Sequence, residues 1–65
     1  MAAEETEIGM ATRHVAEQEG RIARQHLLIG RLQGVGAPLD DAFDLLAAMH
    51  SLLDDMRAHV ARISH

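Results

Sequence analysis

Gly34-Val35-Gly36-Ala37-Pro38 interrupts a sequence that otherwise reads as helix. Two glycines that tolerate a positive φ stand beside a proline that cannot continue a helix, so the chain is expected to turn here. On both sides the apolar residues recur at three- and four-residue spacing, the period of one helix face. The fold class this predicts is all-α, an antiparallel two-helix hairpin. Helix 1 is expected at about 6–33, the turn at 34–39 and helix 2 at about 40–63, after a disordered acidic lead at 1–5.

Upstream of the turn, Thr6 followed by Glu7 marks the helix start, with Thr12 as the alternative if Gly9 breaks the first turn. Ile8, Val15, Ile22 and Ile29 then fill the a positions of a heptad, and Ala11, Gln18, Gln25 and Leu32 the d positions. A regular β-branched a column signals helix packing. Gly34 is expected to supply a left-handed cap, with Val35 folding back on Ile29. Downstream, Pro38 suits a helix start, and Asp40 or Asp41 is expected to cap the free amides of the first turn. Leu39, Leu46, Leu53 and Val60 form one seven-spaced column of helix 2; Ala42, Met49, Met56 and Ile63 form the other. Phe43, Leu45 and Leu52 widen the apolar face beyond a two-stranded seam, a width that suits three or four helices.

Length argues in the same direction. A chain of 65 residues buries only about 60% of the surface its unfolded form exposes. With no cysteine for a disulfide or a thiolate zinc site, self-association or a partner is the expected source of further stability. We therefore expect an isologous homodimer in which two hairpins close a four-helix bundle. The residues assigned to that self-interface are Ile8, Val15, Ile22, Ile29, Leu32, Leu46, Met49, Leu53, Met56 and Val60. Charge is arranged to fit: Glu4, Glu5 and Glu7 open helix 1 and Arg21, Arg24 and Arg31 close it, while Asp40, Asp41 and Asp44 open helix 2 and Arg57 and Arg62 close it. Each helix complements its own dipole, and the turn sets the arginines of helix 1 beside the aspartates of helix 2.

Composition narrows the function classes. A formal net charge of −4 opposes general nucleic-acid binding, which needs Lys and Arg to neutralise phosphates. One Phe, with no Trp or Tyr, removes the usual aromatic anchors of pockets and base-stacking platforms. The acidic start lacks the basic and apolar regions of a signal peptide, and no apolar run is long enough to span a membrane, so a cytoplasmic location is expected. Ser51 and Ser64 are the only serines and no phosphate-binding glycine motif is present; the chain is read as non-enzymatic, with no cofactor.

Three features remain beyond packing. Gln18 and Gln25 sit in an aliphatic column, either as hydrogen-bonding register residues or, more simply, at the edge of a stripe that drifts on a straight helix. Opposite the main stripe, Gly9, Ala16, Gly20, Ala23, Leu27 and Gly30 form a small-residue strip. Ala16, Gly20, Ala23 and Leu27 are candidates for docking an unidentified protein partner, against the bland reading of an Ala- and Gly-rich composition. The five histidines allow a second functional reading, a metal- or small-ligand-binding bundle using His14, His50 and His59. His14 and Glu17, His50 and Asp54, and Asp55 and His59 are spaced to share helix faces. No Glu-x-x-His or His-Glu-x-x-His motif accompanies them.

His14-Val-Ala-Glu17, Ile22-Ala-Arg-Gln25, Leu28-Ile29 with Leu32, the glycine turn, and Leu45-Leu46 leading to His59 and Arg62 together resemble a group of very short bacterial helical-hairpin proteins. The likeness spans about residues 13–63 and implies the hairpin alone; no site residues follow from it. The function read from the sequence is a small homo-oligomeric interaction or regulatory module.

Overall fold

A computed structural model describes residues 6–64, and they form two helices packed against each other, α1 (Glu7–Gly34) and α2 (Asp40–Ile63). The acidic lead expected at 1–5 lies outside the described residues. Among the described residues there is no strand.

Thr6 starts α1. Its backbone is extended (φ −72°, ψ 162°), its hydroxyl accepts a hydrogen bond from the Gly9 amide at 2.9 Å, and its carbonyl accepts from Met10 at 2.8 Å. A threonine in this role stabilises a helix by about 1 kcal/mol. Gly9 does not break the turn; it donates the amide that the cap needs.

The left-handed residue that ends α1 lies two positions later than expected. Gly34 is still helical and Val35 takes the cap position with φ −101° and ψ 4°; the left-handed residue is Gly36, at φ +71°. The Gly36 amide donates to Gln33 at 3.2 Å and the Ala37 amide to Leu32 at 3.0 Å, the paired bonds of a Schellman ending. Because the chain reverses at Gly36, the Val35 side chain points outward and is 79% exposed rather than folded on Ile29. Half-buried Leu32 and Ala37 close the end instead.

The start of α2 also corrects the sequence reading. The cap residue is Leu39, with φ −111° and ψ −8°, and no side chain caps the helix. Asp40 and Asp41 already lie within the first turn, where their charges favour the positive end of the dipole without accepting its amides. Pro38 stands just before the cap, so its missing N–H is lost where no helical bond is needed. The Phe43 amide to Leu39 carbonyl bond, at 2.9 Å, opens the helix.

Between the helices, Ile22, Ile29, Leu46 and Leu53 form the buried core, with Val15, Leu39, Ala42 and Met49 packed against it. Burying each such Leu or Ile contributes about 1.5–3 kcal/mol relative to leaving it in water. The column loosens away from the turn, and Ile8 at its far end is 44% exposed.

Candidate functional site

Most of the residues assigned to a self-interface face the partner helix of their own chain. Ile22, Ile29, Leu46 and Leu53 are buried there; Val15, Leu32, Met49, Met56 and Val60 are half-buried, and Ile8 is exposed. The a and d columns are thus occupied within one hairpin before any second copy arrives.

Gln18 and Gln25 are inside this seam, not at its edge. They are 2% and 6% exposed. The Gln18 Nε2 donates to the Met49 carbonyl and the Gln25 Nε2 to the Ala42 carbonyl, each at 2.9 Å. Both donors and both acceptors are seven residues apart, in opposite senses along the two helices, as an antiparallel pair requires. Each carbonyl belongs to α2 and has a second lone pair free beside its helical bond, so the amides gain partners without unpairing the backbone. Drift on a straight helix is about 20° per heptad, too little between neighbouring d positions to carry Gln25 off the seam. Arg21 covers the remaining polar atom of Gln18, its Nη1 donating to Oε1 at 3.4 Å. No buried side-chain N or O among the described residues lacks a partner.

Two flanks border the seam. On one, a cleft of about 320 Å³ is lined by Glu7, Met10, Ala11, His14, Met56 and His59. The heptad columns of His14 and His59 continue to Leu28 and to Leu52 and Leu45, which are 44%, 46% and 49% exposed. On the other flank, a cleft of about 340 Å³ is lined by Glu19, Ile22, Ala23, His26, His50, Leu53 and Arg57. There the Arg57 Nη2 donates to Glu19 Oε2 at 3.1 Å, and the rings of His26 and His50 meet edge to face with centroids 6.2 Å apart. Phe43, 49% exposed, is the apolar exception on this flank.

This division separates the histidines proposed as one site. His14 and His59 share the first flank, whereas His50 lies on the second against His26. Among the described residues no three His, Cys, Asp or Glu side chains come together to hold a metal ion. A heptad analysis could have found the split, because His14 and His59 fall one step past the d columns and His26 and His50 one step past the a columns.

The small-residue strip is also divided. Ala16 and Gly20 line a shallow depression of about 410 Å³ with Arg13, Glu17, Arg21 and Arg24; Ala23 turns toward the His26 cleft, and Leu27 stands 64% exposed. Arg13 bonds to Glu17 at 3.2 Å across the first of these surfaces. A Cβ on Gly30 would meet nothing within 4 Å, and one on Gly20 only Arg24 Nη1 at 3.6 Å, so neither glycine is required by a neighbour in the hairpin. The expected pairing of Arg21, Arg24 and Arg31 with Asp40, Asp41 and Asp44 is absent among the described residues. These side chains are exposed, and water solvates them about as well as a salt bridge would.

The fold and its seam define a two-helix antiparallel hairpin with a polar-locked interface. No family model, no curated protein and no solved structure matches the chain. No helix among the described residues is long and apolar enough to cross a membrane.

Proposed function

We propose that the protein is a small non-enzymatic interaction module that acts in the cytosol as a homodimer, two hairpins closing a four-helix bundle. The observation that carries this reading is the leucine flank. With the a and d columns already used inside the hairpin, Leu28, Leu45 and Leu52 still stand about half exposed on one side. Charge favours a second copy as the occupant. Each helix runs from acidic to basic, Glu7 to Arg31 in α1 and Asp40 and Asp41 to Arg62 in α2. A twofold axis that packs helices antiparallel therefore brings acidic starts beside basic ends. The dimer surface in this proposal is the leucine flank, with the half-buried Leu32, Met49 and Met56 beneath it.

Light scattering after size exclusion tests the proposal on wild type and on the Leu45→Glu, Leu52→Glu double variant. The expected result is a wild-type dimer and a variant monomer. A wild type that stays monomeric and folded at micromolar concentration overturns it.

A further inference from the structure

We propose that His26 and His50 form a two-imidazole clamp for a borderline divalent transition cation, zinc(II) or nickel(II), that ties α1 to α2 on the flank opposite the leucines. The two rings come from different helices, meet with centroids 6.2 Å apart at an interplanar angle of 68°, and are both exposed. A tetrahedral cation bound about 2.0–2.1 Å from one nitrogen of each ring sets imidazole centroids roughly 5 Å apart. The pair therefore needs to close by about 1 Å, which side-chain rotation at an exposed position supplies.

What must stay fixed is the backbone beneath, and it is held. His26 lies between Ile22 and Ile29, and His50 between Leu46 and Leu53, the four buried residues of the core. Rigid bases with adjustable tips are what chelation by two side chains requires. Glu19, which lines the same cleft, pairs with Arg57 at 3.1 Å, and no third His, Cys, Asp or Glu side chain among the described residues joins the two imidazoles, so water completes the coordination shell. Two neutral nitrogen ligands select zinc or nickel over the hard cations magnesium and calcium, which prefer oxygen. His26 and His50 are distant in sequence and meet only when the hairpin forms, so a cation that bridges them stabilises the folded state by mass action. The clamp does not rest on the dimer proposal, since it uses the other flank.

The test is thermal unfolding of the untagged chain, followed by circular dichroism, with zinc chloride or with magnesium chloride. At zinc about a hundredfold above Kd, the melting temperature should rise on the order of 10 °C. EDTA should reverse the rise and magnesium should not produce it. His26→Ala and His50→Ala should each abolish the rise while retaining helicity, and His14→Ala combined with His59→Ala should preserve it. In the wild type, the imidazole NMR resonances of His26 and His50 should shift with zinc at constant solution mass. No rise, a rise that survives His50→Ala, a rise lost only on changing His14 and His59, or an increase in mass on adding zinc overturns the proposal.

Discussion

On one flank of the seam Leu28, Leu45 and Leu52 stand about half exposed; on the other, Glu19 meets Arg57 and His26 meets His50 edge to face. Both flanks are columns of the same two helices, one step to either side of the same a and d residues. The asymmetry is one of exposed apolar surface: three leucines stand on one flank, whereas polar pairs occupy the other, with Phe43 as its exception. It also gives each substitution a predicted location of effect.

The largest effect should come from breaking the structure on which both flanks rest. Leu53 is 5% exposed in the centre of the core, and Leu53→Ala should cost about 2–5 kcal/mol through lost burial and the cavity left behind. In a chain this short that approaches the whole stability. Urea unfolding followed by circular dichroism should show a sharply lowered midpoint or an unfolded chain. Retention of the wild-type midpoint would mean that Leu53 is not in a close-packed core.

The next prediction separates the flanks. Leu45→Glu with Leu52→Glu removes apolar contacts worth about 1.5–3 kcal/mol each when buried, so self-association should weaken by at least about a hundredfold. His26→Ala with His50→Ala, on the polar flank, should leave the mass of the metal-free protein unchanged. If both doubles lower the mass equally, the contrast between the flanks has no bearing on assembly.

Within the seam the glutamines should have an intermediate and diagnostic effect. Gln18→Ala opens a cavity and removes the bond to the Met49 carbonyl, at a cost of about 1–3 kcal/mol. Gln18→Leu refills the space, and the carbonyl keeps its helical donor, so this variant should fall within about 1 kcal/mol of wild type. A Leu variant as unstable as the Ala variant would show that the hydrogen bond, rather than the volume, holds this level of the seam.

What could be read from the sequence follows from what sets each feature. Helix periodicity and the turn are local properties, so the columns through Ile22, Ile29, Leu46 and Leu53 could be recognised without a structure. The cap at Gly36 rather than Gly34 could not, because either glycine permits a left-handed residue and the choice depends on how Leu32 and Ala37 close the end. Leu39 in place of an aspartate cap has a similar cause: the chain leaving Pro38 enters the helix one residue early. Gln18 and Gln25 read as register residues or as edge residues from the sequence, because their acceptors, the carbonyls of Met49 and Ala42, become available only once the helices are apposed. Helix-face spacing relates histidines within one helix, whereas their distribution over two flanks is a relation between helices.

A smaller effect, of opposite sign, is expected on the outer strip. Gly30 has open space where a Cβ would stand, so Gly30→Ala should stabilise the chain by about 0.5–1 kcal/mol through helix propensity alone. The melting temperature checks this, and it should rise whether or not the leucine flank is intact. A fall would reveal a close contact at Gly30 that the single hairpin does not contain, and would place a second interface on the strip.

The smallest expected effect lies on the polar flank, where Arg57 and Glu19 join the helices with side chains 56% and 51% exposed. Each end of the pair is well solvated on its own, and holding two long side chains in one geometry costs entropy that offsets much of the attraction. Arg57→Ala should therefore destabilise by less than about 0.5 kcal/mol, and the difference from wild type should shrink further in high salt. Parallel denaturation of both proteins at low and high ionic strength measures it. A larger loss that persists in salt would mean that the arginine stem covers Leu53 and matters through packing rather than charge, which would make the polar flank a structural lid on the core instead of a solvated edge.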